Sequence, residues 1–201
     1  MSDFSAAILI KSEHKAVALE HMEDDVLLIR LNDKWICRLS ADADADVSMV
    51  SIAMDLVQYS KTLLDLSECI PLIHINHAED HCLEVCILHK SKSVCKFGVS
   101  YEFGFDEIEL DDDAEFADMM NYSHFIKEEF EQFKLFGFDG KTCDEIFTIF
   151  SDADMNDFDE KHEAVAQFFS ILGIEEFSFV SHHYASIDKE QGVTHFDIIK
   201  G

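Results

Sequence analysis

Residues 72–110 read LIHINHAEDHCLEVCILHKSKSVCKFGVSYEFGFDEIEL, and this stretch decides the fold. Short runs of Ile, Leu, Val and aromatic residues predict a β-meander with strands over 72–75, 83–89, 94–103 and 107–110. Tyr101, Phe103 and Phe105 share odd positions, whereas Ile108 and Leu110 share even ones. Side chains alternate faces with period two, so this switch predicts a turn or bulge over 104–107. Beyond it, Glu107, Glu109 and Asp111 would point the same way.

Upstream, 6–10 and 16–19 are short apolar runs, and 26–31 and 34–39 flank Asn32-Asp33, a pair suited to a tight hairpin. A two-residue loop would put Leu28 opposite Cys37 and Arg30 opposite Trp35. The guanidinium would then stack beside the only indole, worth roughly 0.5–1 kcal/mol at an exposed site. Asp46 is placed to cap a helix over 47–66, whose stripe runs through Met49, Ala53, Leu56, Ser60 and Leu63. Pro71 opens the meander.

Downstream the pattern turns helical. Ser123 is placed to cap a helix bearing Ile126, Phe130 and Phe133, which Gly137 and Gly140 interrupt. Thr142 and Glu145 match a capping box ahead of Ile146 and Phe150. A further amphipathic helix over 160–172 ends at Gly173, as a left-handed cap. Strands over 177–181 and 193–199 close the chain, with a hairpin through 188–192. The expected class is α+β: antiparallel sheet regions, a long helix in the N-terminal half, a helical cluster in the second half and a C-terminal hairpin. One domain over 1–201 is expected; the alternative divides it into a sheet and helix part, 1–105, and an acidic helical part with terminal strands, 106–201.

Composition supports a folded chain. Of 201 residues, 48% are hydrophobic, 18 are Phe and one is Pro, which is not the profile of a disordered acidic segment. The start, MSDFSAAILIKSEHK, matches neither a secretory signal nor a transit peptide, so a cytoplasmic location is expected. The six cysteines show no framework spacing and read as reduced thiols.

Charge narrows the function. The chain carries 42 acidic and 15 basic residues, a formal charge of −27, of which −8 falls on 1–105 and −19 on 106–201. Residues 106–118, DEIELDDDAEFAD, hold eight carboxylates and no basic residue. Such a surface repels nucleic acid and anionic lipid and attracts a basic protein face. On a strand, alternate side chains lie about 6.6 Å apart, and helical neighbours four apart lie about 6 Å apart. Both are close to the phosphate repeat of one nucleic-acid strand. A rigid array of carboxylates can therefore occupy a cleft built for a polyanion.

The expected activity is thus that of an acidic binding protein, not an enzyme, that inhibits a nuclease, toxin or nucleic-acid-binding complex by mimicking its ligand. In composition, though in no motif, the chain resembles nuclease-toxin immunity proteins and phage inhibitors of host defence. The expected partner-binding residues are Asp106, Glu107, Glu109, Asp111, Asp112, Asp113, Glu115 and Asp118, with Glu128, Glu129 and Glu131. No cofactor, metal, membrane or direct nucleic-acid contact is expected. Two alternatives are an acidic secretion or folding chaperone, and an enzyme with a site assembled around 74–89.

That last stretch holds His74, His77, His81, Cys82, Cys86 and His89. Their spacing matches no zinc signature, and a strand would place Cys82 and Cys86 on one face and His89 on the other. Residues 152–163 resemble a calcium loop, with oxygen ligands at its positions 1, 3, 5 and 12. However, Asp157 stands where the sharp turn needs Gly, and Asp159 where an apolar residue is usual. A helix–loop–helix joint capped by Asp is the expectation there. With seven Gly in the chain, no phosphate-cradling loop is found, and no nucleophile elbow.

Overall fold

Strands that are apolar on both faces have to be covered on both sides. Four central strands meet that condition: β1 (Phe4–Lys11), β3 (Trp35–Ser40), β6 (Leu72–Ala78) and β7 (Cys82–His89). In a computed structural model, which describes residues 4–40, 45–48, 51–52, 55–78, 81–101, 125–175, 177, 179–192 and 195–200, they form the middle of one sheet. β2 (Val26–Arg30), β8 (Lys92–Ser100) and β9 (Asp197–Lys200) complete it in the order β8-β7-β6-β1-β3-β2-β9. Every pairing is antiparallel. A separate short pair joins β4 (Ala45–Asp46) to β5 (Gln58–Tyr59).

Odd-numbered residues, such as Leu9, Cys37, Ile75, Val85 and Phe97, face one helical layer. That layer holds α3 (Lys127–Phe130), a 3₁₀ turn over Glu131–Phe136, α4 (Gly140–Asp152), α5 (Phe158–Leu172) and α6 (His182–Gln191). Even-numbered residues, such as Ile8, Ile36 and Leu72, face a thinner layer of α1 (Lys15–Glu20) and α2 (Lys61–Cys69). The class is therefore α+β, and the phenylalanine content is explained by the thicker core. Phe97 packs against Phe130, Phe150 and Phe168 with ring centroids 4.8, 5.0 and 5.8 Å away. Full burial of one such ring contributes roughly 1.5–3 kcal/mol. Among the described residues, no helix is long and apolar enough to cross a membrane.

The meander appears as β6, β7 and β8, while its fourth strand, 107–110, lies outside the described residues. The hairpin of β2 and β3 differs from expectation by one residue. Ile29 faces Cys37 and Arg30 faces Ile36. The loop has three residues because the Asn32 Oδ1 accepts the N–H groups of Lys34 and Trp35 at 2.8 and 3.0 Å. That slip moves Arg30 away from the indole; the cation over Trp35 is Lys11, 4.2 Å from its ring centroid.

A continuous helix over 47–66 is not formed. Asp55 has φ +57°, Gln58–Tyr59 is a strand, and α2 begins only at Lys61, with Ser60 Oγ accepting from Leu63 N. Leu56, a member of the expected stripe, is exposed. The cap of α4 also moves: Asp139 accepts from Thr142 N at 2.7 Å, so Thr142 lies within the first turn. Gly173 ends α5 at φ +72°, as expected. At the C-terminus, β9 pairs with β2, and the segment before it is the helix α6; Phe177 and Val180 meet β1, their carbonyls accepting from Ser5 Oγ and Ala6 N.

Candidate partner-binding surface

All eight carboxylates of 106–118 lie outside the described residues. The other three expected contacts sit just after that stretch, on α3 and the 3₁₀ turn, but on different sides of it. Phe130 and Phe133 anchor this short element in the core. Each residue turns about 100° from the last, so neighbouring glutamates fan out. Glu128 is exposed. Glu129 turns to the sheet and accepts the β8 backbone N–H of Lys96 at 3.1 Å. Glu131 is exposed and pairs with Lys134 at 3.0 Å.

A second acidic surface adjoins them. α4 and α5 pack side by side and leave a groove of about 700 Å³ between their outer faces. Asp144, Glu145 and Asp152 border it from α4, and Glu160 and Glu163 from α5, above a floor of Ile149, Ala153 and Ala164. Lys141 is the one basic residue on this lining. On α4, positions 141, 144, 145, 148 and 152 recur at helical spacing, which places them on one face. Asp144 is neutralised by Lys127 at 2.9 Å, and the pair raises the lysine pKa. Glu163 accepts from Gln167 at 3.1 Å. The sequence shows the acids on each helix, but not that two separate helices turn them toward one groove.

The calcium-loop pattern is used for capping. Asp157 accepts from Glu160 N, Asp154 accepts from Asn156 N, and Glu160 accepts from Asp154 N. Residues 158–163 of the pattern already belong to α5. The histidine and cysteine cluster is divided by the sheet. His74 pairs across the strands with Cys86 on the α2 side, where burial pushes the imidazole down to about 4 and the thiol up to about 12. His77 lies on the opposite face, edge-on to Phe169 at 5.2 Å. Among the described residues, no group of three His, Cys, Asp or Glu is arranged to hold a metal ion.

A further cleft, of about 660 Å³, opens where the C-terminal end of α5, the β2–β3 loop, α6 and the start of β9 converge. Trp35 Nε1 and Asn32 Nδ2 fix one wall by donating to the carbonyls of Leu172 and Gly173, each at 2.8 Å. From α6 comes Asp188, buried, with Oδ1 3.2 Å from His195 Nδ1. Its Oδ2 is buried and, among the described residues, makes no hydrogen bond. Phe179 is 39% exposed with φ +57°, and Tyr184 meets its ring edge-on at 5.1 Å. A left-handed conformation at a non-glycine residue costs roughly 1 kcal/mol or more. No sequence motif marks this cleft, because its residues come from four separate segments. No protein-family model, no curated protein and no solved structure matches this chain.

Proposed function

We propose that this chain is an acidic, non-enzymatic binding protein of the cytoplasm that inhibits a nucleic-acid-handling enzyme or toxin by covering its basic surface. The observation that carries the reading is the charge of −19 on residues 106–201, together with the groove whose five carboxylates are offset by Lys141 on its lining and by Lys127, which pairs with Asp144. Carboxylates fixed on two packed helices keep their spacing without further ordering, so little entropy is lost on binding. Long-range attraction raises the association rate, and a smaller number of buried contacts sets the lifetime.

The test is capture of host proteins on the immobilised chain, with elution by competing duplex DNA or RNA. The expected partner is basic, is released by nucleic acid and loses its nucleic-acid-handling activity at stoichiometric chain. A partner retained through high salt and unaffected in activity would contradict the proposal. A mobility shift of DNA or RNA by the chain itself at low salt would also count against it.

A further inference from the structure

The cleft at the end of α5 has the chemistry of a cation site. Asp188 lines it with a largely buried carboxylate whose Oδ2 has no hydrogen-bond donor among the described residues. A buried acceptor left unpaired is costly, so a ligand that donates to it would be favoured. Glu175 adds a second carboxylate at the rim. The 15-residue helix α5 directs its negative C-terminal end to the same place through Gly173 and Ile174. Arg30 also lines the cleft, and its Nε pairs with Asp197 at 3.1 Å. His195 meets Oδ1 and is itself exposed, so it stands over that side of the carboxylate.

The remaining walls select among cations. Phe179 and Tyr184 provide aromatic surface, and Ile174 and Ile187 provide aliphatic surface. A planar guanidinium on an aliphatic stem matches all of these. It donates in a fork to a carboxylate, stacks on rings and sheds water more easily than an ammonium. Charge of both signs stands at the rim, with Arg30 on the lining and Lys34 Nζ beside Gly173 at the end of α5, so the preference for a cation rests on the Asp188 carboxylate and not on the net charge of the walls.

We propose that this cleft receives an arginine side chain presented by the basic partner, with the guanidinium at Asp188 Oδ2 and the stem between the Phe179–Tyr184 pair and the isoleucines. The proposal rests on the acidic-inhibitor reading and names the contact that holds the partner once charge has brought it in. The acidic surface would govern encounter, and the arginine anchor dissociation.

The test uses the full chain, labelled at its isoleucine methyls, and three capped peptides: Gly-Arg-Gly, Gly-citrulline-Gly and Gly-Lys-Gly. The arginine peptide is expected to give saturable shifts at Ile174 and Ile187, the lysine peptide at least fivefold weaker binding, and the citrulline peptide none. Asp188→Asn, which keeps the shape and the His195 contact, is expected to weaken the arginine peptide at least tenfold. Tyr184→Leu should weaken it about threefold with the fold intact by the same spectrum. Equal binding of citrulline, or of arginine by Asp188→Asn, would overturn the proposal. A longer arginine-rich peptide separates the two readings. If it binds at low salt but moves only methyls at the α4–α5 groove, the anchor is wrong and the acidic-inhibitor reading stands. If it does not bind at all, both fall.

Discussion

The indole N–H of Trp35 donates to the carbonyl of Leu172 at 2.8 Å, tying the β2–β3 hairpin to the last turn of α5. The bond is buried, and it satisfies a helix-terminal carbonyl that would otherwise lack a partner. Trp35→Phe keeps an aromatic ring in the core but orphans that carbonyl, so a loss of about 1–3 kcal/mol is expected. Lys11→Met removes only the cation above the ring and should cost less than about 1 kcal/mol. Urea unfolding followed by far-ultraviolet circular dichroism checks both. Equal costs would mean that the hydrogen bond adds nothing beyond packing.

Two caps separate the observed helix starts from those that periodicity suggests. Ser60 Oγ accepts from Leu63 N at 3.1 Å, and Asp139 Oδ1 accepts from Thr142 N at 2.7 Å. Ser60→Ala and Asp139→Ala should each destabilise by about 1 kcal/mol. The backbone N–H of Thr142 also holds the Asp139 carboxyl below the ordinary carboxylate range. Thr142→Ala, at a position that would be the cap if the helix began there, should cost clearly less than Asp139→Ala. A cost at Thr142 equal to that at Asp139 would restore the later start.

These caps show how far the sequence was legible. The meander could be read because β6 and β7 have long apolar runs bounded by polar turns, and Gly173 could be read because α5 needs a left-handed residue there. The hairpin register could not, since Asn32 serves a three-residue loop as readily as a two-residue one and only its side-chain bonds to Lys34 and Trp35 decide. The span 47–66 has helical periodicity, but its stripe includes Ser60, which caps, and Leu56, which is 55% exposed. The groove and the cleft both depend on which faces of distant segments meet, and no local pattern encodes that. The acid run was plain in the sequence, yet it lies outside the described residues.

His74 gives a pH dependence with a definite sign. Burial lowers its pKa from 6.5 to about 4, and among the described residues its Nδ1 has no partner. Between those values the unfolded chain binds a proton that the folded chain does not, so stability falls as pH drops. The contribution is complete above about pH 6.5 and lost on approaching pH 4; over the whole interval it amounts to about 3 kcal/mol. His74→Leu should abolish this part of the slope and should not destabilise at pH 7, because it removes an unpaired buried polar atom. Denaturation midpoints at half-unit steps from pH 7 to 4.5 provide the measurement. A variant with the parent slope would assign the acid sensitivity to other groups.

The acid run should carry binding more than stability. Its carboxylates repel one another, so replacing Asp111, Asp112, Asp113 and Glu115 with Asn or Gln should leave the melting temperature unchanged or slightly higher. Against a basic partner, the same change should slow association several-fold and flatten its salt dependence, with little effect on dissociation. Neutralising Glu145, Asp152 and Glu163 in the α4–α5 groove should slow association in the same way, because both sets add to one field. Asp188→Asn should behave differently, speeding dissociation at an unchanged association rate. Stopped-flow kinetics at two salt concentrations distinguishes these outcomes. If the run variant associates at the parent rate, the run is a solvated surface; if it unfolds, the run is structural. In either case the carboxylates of the groove alone would have to steer the partner.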